Sequence, residues 1–88
     1  MPNTALDNLR KEIDAVDSEI ISLLAKRMEI VEKIGKYKKE NNLPPIDNNR
    51  WQLLLQSLLQ KADSFKLSKE LVKAIYNQIH EHALFIEE

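Results

Sequence analysis

The sequence predicts an all-α protein: three helices, one long and two shorter, forming an intertwined homodimeric bundle. Three observations lead there. Apolar residues recur at three- and four-residue steps through Leu6, Leu9, Ile13, Val16, Ile20 and Leu23, and again at Ile30, Ile34 and Tyr37, the seam of a helix packed on other helices. Glycine occurs once and proline three times in 88 residues, and helix formers fill the rest, which leaves no room for a sheet. A helix from Thr4 to about Lys39 measures ~54 Å at ~1.5 Å per residue, longer than the ~35 Å that a compact domain of this size spans. The simplest remedy is a second copy that covers the protruding half.

Taken in order, the first helix starts near Thr4, where Thr4 and Asp7 have the spacing of a capping box. It ends at Asn41 or Asn42, ahead of Pro44, because the residue before a proline is pushed out of the helical region. Asn41 to Ile46, with Pro44 and Pro45, is a stiff connection. The second helix starts at Asp47 or Asn48, both good caps, and carries Trp51, Leu54, Leu55, Leu58, Leu59 and Ala62 as an apolar stripe. Asp47, Arg50, Trp51 and Leu54 fall on one face. A second break covers Asp63 to Lys66, and the third helix begins at Ser68, with Val72, Ile75, Ile79, Ala83 and Ile86 on one side. One domain, residues 1–88, is the expected organisation, and an initial Met with a short tail favours an independent start.

Composition removes several function classes. With no cysteine the chain has no disulfide, thiol nucleophile or zinc-thiolate site, which fits a cytoplasmic setting. A net charge of -1 supplies no overall field for nucleic acid. No apolar run approaches the ~20 residues of a membrane span. His80 and His82 point to opposite sides of a helix, so they do not chelate one metal; they read as surface or partly packed. The serines have no base near them in the pattern.

The chemistry therefore lies with the cations. Where the seam calls for an apolar residue between Leu23 and Ile30, the sequence has Arg27. Arg10, Arg27 and Lys38 lie on the seam or its flank, and Arg27 and Lys38 are about three turns, ~16 Å, apart on nearly one face. A cation inside packing is costly unless an anion meets it. That anion is Asp14, Asp17 or another helix's carboxylate, or else the stems pack while the heads reach water; a bound anionic ligand accounts for all three cations at once. Gly35, one turn before Lys38, suggests close approach of another backbone or room for a ligand. Lys33, Lys36 and Lys39 suit the helix dipole.

The run Leu9-Arg10-Lys11-Glu12-Ile13-Asp14 through Asp17, then Leu23-Leu24-Ala25-Lys26-Arg27, Ile34-Gly35-Lys36-Tyr37-Lys38, and Pro44 with Asp47 and Arg50 resembles the all-helical chorismate mutases over nearly the whole chain. Each motif alone is weak, and the ordered set is fairly specific. The resemblance implies a homodimer with two sites, no cofactor, and rearrangement of the dicarboxylate chorismate to prephenate without a covalent intermediate. It implies that Arg27 and the other chain's Arg10 hold the carboxylates with Arg50 assisting, that Lys38 donates to the ether oxygen, and that Asp47 sits at the ring hydroxyl.

Three positions depart from the family pattern. Where a glutamate often reads the ring hydroxyl, Trp51 stands, either a pocket wall or a core aromatic. Ala83 replaces a small hydroxyl residue, and Glu87 a glutamine that often donates to the ether oxygen. A carboxylate cannot donate, so in that role Glu87 must carry its proton, and activity should fall as pH rises; otherwise it is a solvated terminal acid. These departures keep rivals open: an isochorismate-pyruvate lyase, an aminodeoxychorismate mutase, or a non-catalytic helical dimerisation or metabolite-binding module.

Overall fold

A computed structural model describes residues 3–87, which form α1 (Thr4–Glu40), α2 (Asn48–Ser64) and α3 (Lys69–Glu87). Among the described residues there is no strand, and no helix is long and apolar enough to cross a membrane. The chain divides between Ile30 and Val31 into two units.

The first unit is α1 as far as Ile30. Its cap lies one residue earlier than the Thr4–Asp7 pattern suggests. Asn3 Oδ1 accepts from the Leu6 amide at 3.0 Å and the Asn3 carbonyl accepts from the Asp7 amide at 2.9 Å, so Asn3 is the cap and Thr4 the first helical residue; Asn is also the better cap of the two. Residues 8–23 are all exposed, including Ile13 at 61% and Leu23 at 65%. The apolar seam is present, but it lacks a core within its own unit.

The second unit combines the end of α1, the link and the α2–α3 hairpin. The ends of α1 and α2 close the same way. At the end of α1 the Leu43 amide donates to the Lys38 carbonyl at 2.7 Å and the Asn42 amide to Lys39 at 3.4 Å, with Asn42 at φ 56°. At the end of α2 the Leu67 amide donates to Ala62 at 2.8 Å and the Lys66 amide to Asp63 at 3.1 Å, with Lys66 at φ 57°. This is the Schellman arrangement, which satisfies carbonyls that a helix end leaves open. It also carries α2 to Ser64, past the break expected from Asp63, because Asp63 and Ser64 still belong to the bonded turn. Asp47 and Ser68 cap the starts of α2 and α3, accepting from the Arg50 amide at 3.0 Å and the Leu71 amide at 3.2 Å. The helices pack on small residues: Ala62 and Ala83 are buried, with Val31 and Gly35 from α1.

Candidate active site

The residues singled out from the sequence fall into both units. In the first, Arg10 is exposed and lies 3.9 Å from Asp7, one turn earlier on its own helix, a contact that water largely screens. Arg27 is half-buried. Its Nη1 is buried without a hydrogen-bond partner, and among the described residues it forms no ion pair, so neither Asp14 nor Asp17 supplies the anion. A guanidinium nitrogen removed from water and left unpaired is a costly arrangement. An incoming anion removes that cost.

In the second unit the structure brings Lys38 and Glu87 together from opposite ends of the unit's sequence. Lys38 Nζ lies 2.7 Å from Glu87 Oε1 and donates to the Pro45 carbonyl, also at 2.7 Å. The carboxylate side chain is 8% exposed and the ammonium-bearing chain 21%. The contact is close enough to neutralise both charges, yet its angles fall outside hydrogen-bond geometry, so Oε1 has no hydrogen bond. Glu87 is therefore not a solvated terminal acid; α3 keeps its helical form through this residue and buries it.

Gly35 explains how Glu87 gets there. A Cβ on Gly35 would lie 3.2 Å from both Cα and Cγ of Glu87, so the last turn of α3 rests directly on the backbone of α1. Of the two readings of this glycine, close approach of another backbone is the one the structure supports.

At the start of α2, Asp47 accepts from the Arg50 amide, which fixes its carboxylate at the helix N-terminus. Asp47 and Lys38, with Leu43, Pro44 and Ile46, line a cavity of about 370 Å³, a volume in the range of small-molecule sites. Arg50 is exposed and contributes only its backbone to this contact. Trp51 is half-buried, and its indole stacks on His80 of α3 with ring centroids 4.0 Å apart and planes 11° from parallel. This pair runs α2 and α3 antiparallel. Ala83 is 8% exposed, on the face of α3 that also carries His80 and Glu87.

Sequence reasoning missed two participants. The Pro45 carbonyl, as a backbone acceptor, leaves no trace in residue type. His80 was signalled by its spacing of three and seven residues from Ala83 and Glu87, but that spacing does not say what faces it from α2. Among the described residues no group of three His, Cys, Asp or Glu side chains is placed to hold a metal.

The family model for chorismate mutase type II matches residues 9–88. The chain is 38% identical over 71 residues to the T-protein of Haemophilus influenzae, which covers 81% of this chain and 19% of that one. It is 34% identical over 73 residues to a bifunctional chorismate mutase/prephenate dehydratase of Aquifex aeolicus, covering 83% of this chain and 18% of that one. The chain thus spans about a fifth of the length of these curated relatives. A solved structure of a conserved hypothetical protein from Pyrococcus furiosus superposes with a TM-score of 0.73 at 41% identity, covering 99% of this chain and 100% of that one.

Proposed function

Because the chain belongs to the chorismate mutase type II family of isomerases, we propose that its 88 residues act as one domain that rearranges chorismate to prephenate in the cytoplasm, as a homodimer. The reaction is unimolecular and needs no cofactor. The substrate must be held folded while the breaking ether bond builds negative charge on its oxygen, so catalysis consists of clamping and electrostatic stabilisation. Arg27 and Arg10 of the partner subunit clamp the two carboxylates, in the forked geometry that guanidinium groups provide. Arg50 assists at the edge of the site. Lys38 donates to the ether oxygen, Asp47 faces the ring hydroxyl, and Trp51 and Ala83 close the pocket.

The observation that carries this reading is the buried, unpaired Nη1 of Arg27. A ligand carboxylate is the acceptor that this atom lacks. Lys38 supports it in a second way. In the free protein Lys38 is neutralised by Glu87 at 2.7 Å, and an entering anion competes for the ammonium and leaves Glu87 beside new negative charge. Glu87 donates to the ether oxygen only as the protonated acid. The dimer rests on the exposed seam: Leu9, Ile13 and Val16 line an open apolar groove, and covering each such side chain contributes about 1.5–3 kcal/mol.

Mixing the purified protein with chorismate and following substrate loss and product across pH tests the proposal. Prephenate formation that weakens at higher pH assigns ether-oxygen donation to protonated Glu87; formation flat in pH leaves Lys38 as the donor. Chorismate that is not consumed overturns the mutase assignment.

A further inference from the structure

The link between α1 and α2 grips one residue by both its backbone and its side chain. The Leu43 amide donates to the Lys38 carbonyl at 2.7 Å, and two residues further on the Pro45 carbonyl accepts from Lys38 Nζ, also at 2.7 Å. Pro45 is the one residue from 39 to 50 that is not exposed. Few torsions join these two contacts. Both proline rings fix φ at about −65°, and a following proline narrows the backbone choice of Leu43 and of Pro44. The place of the Pro45 carbonyl is therefore set by the link itself. Lys38, Leu43, Pro44, Ile46 and Asp47 line the cavity at the start of α2, and Pro45 does not.

The geometry points to Pro45 as a positioning residue: its carbonyl holds the Lys38 ammonium from outside the cavity that Lys38 lines, and so acts on the reaction through Lys38 alone. An ammonium has three donors, and lysine carries them on a flexible four-carbon stem. A bond to a fixed carbonyl removes much of that freedom before substrate arrives. Glu87 also meets the ammonium, at 2.7 Å, but a carboxylate cancels the charge that the developing oxyanion needs. A neutral carbonyl holds the same group and leaves its charge available. An entering anion competes with Glu87, while the bond to Pro45 uses a separate proton and persists. This inference rests on Lys38 being the donor to the ether oxygen of chorismate.

Pro45→Gly keeps the carbonyl but frees the backbone that carries it. Lys38 is then less well placed for charge that appears only in the transition state. The kcat for chorismate should fall about three- to tenfold, short of the ~100-fold that a 1 Å misplacement can cost, while KM changes by less than about twofold. Glycine also lowers the melting temperature whatever the role of Pro45, so kcat is read well below melting, where a purely structural loss leaves it unchanged. A second readout needs no substrate. In nitrogen NMR of isotope-labelled protein, the bonded and largely buried Lys38 ammonium should exchange its protons slowly enough to give a resolved signal, identified by its absence from Lys38→Arg, and Pro45→Gly should abolish it. Unchanged kcat in Pro45→Gly, a Lys38 signal indifferent to the substitution, or wild-type protein without that signal overturns the assignment. Should Pro45→Gly fail to fold by circular dichroism, Pro45→Ala, which frees the same torsion less, decides it by the same two readouts, with kcat down about two- to threefold. Wild-type protein that leaves chorismate unchanged removes the mutase reading and this one together, whereas active wild-type protein with an unaffected Pro45→Gly removes only the role of Pro45.

Discussion

The first unit presents a continuous apolar seam with every residue from 8 to 23 exposed, whereas the second closes the ends of α1 and α2 and the starts of α2 and α3 with specific bonds and buries small residues where helices meet. The difference lies in where each obtains its stability. Isolated helices are marginal in water, so the first unit depends on a surface outside itself. The second is determined by local contacts: left-handed residues at Asn42 and Lys66, caps at Asp47 and Ser68, and a glycine that lets two backbones touch.

The largest effect that separates the two is expected from Ile13→Glu. Ile13 is 61% exposed. If a second copy covers it, the substitution removes apolar burial and places two unpaired carboxylates in the dimer, a cost of several kcal/mol. Sedimentation at micromolar concentration should then show monomer, and prephenate formation should fall by about a hundredfold or more, since Arg10 of the partner subunit is no longer delivered. If nothing covers it, stability changes by no more than about 0.5 kcal/mol, as for ordinary surface positions, and the sedimentation profile stays that of the wild type.

Gly35→Ala tests the second unit by a different route. Alanine in place of glycine inside a helix should stabilise by up to about 1 kcal/mol from propensity alone. Here the new Cβ meets Glu87 Cα at 3.2 Å, and a backbone atom cannot turn aside as a side-chain end does. Overpacking of this kind costs about 1–3 kcal/mol, so the variant should melt below the wild type. Displacing Glu87 also disturbs the 2.7 Å pair with Lys38, so kcat should fall. A variant that melts higher with unchanged kcat would show that the close approach is dispensable.

These two tests also mark what the sequence made legible. The three helices, the caps at Asp47 and Ser68 and the suspicion about Gly35 all follow from residue type and spacing, which act within a few residues. The Asn3 cap was displaced by one position because Asn3 and Thr4 are both competent caps and only geometry chooses between them. The end of α2 ran past Asp63 because the left-handed turn is taken by Lys66, a residue with no special preference for it. The Lys38–Glu87 pair and the Trp51–His80 stack join separate helices. Apolar stripes say that helices pack, but not in which register, so charged or aromatic partners across a hairpin are invisible until the register is fixed. Arg27 was legible as an anomaly in the seam; that no carboxylate among the described residues answers it was not.

The smallest expected effect is a pH dependence confined to the start of α3. Hydrogen bonding from its own backbone amide, then from the Ser68 hydroxyl, holds the Glu70 carboxyl below the usual carboxylate range, and Ser68 Oγ lies 3.1 Å from Oε2. A carboxyl with a lowered native value stabilises the fold above its unfolded value, near ~4.3, and that contribution disappears as pH falls through the lower, native value. Glu70 is fully exposed, so solvent screens the effect and keeps it small. Melting of Glu70→Gln should therefore lie slightly below the wild type at pH 7, with the difference closing as the solution is acidified past ~4. The comparison between units sharpens the test. A deficit that belongs to a local cap in the second unit does not change with protein concentration, while a deficit such as that of Ile13→Glu, which acts through association, grows on dilution. A Glu70→Gln deficit that widens on dilution would mean that the start of α3 is also coupled to assembly, and that the second unit is less self-contained than its capping suggests.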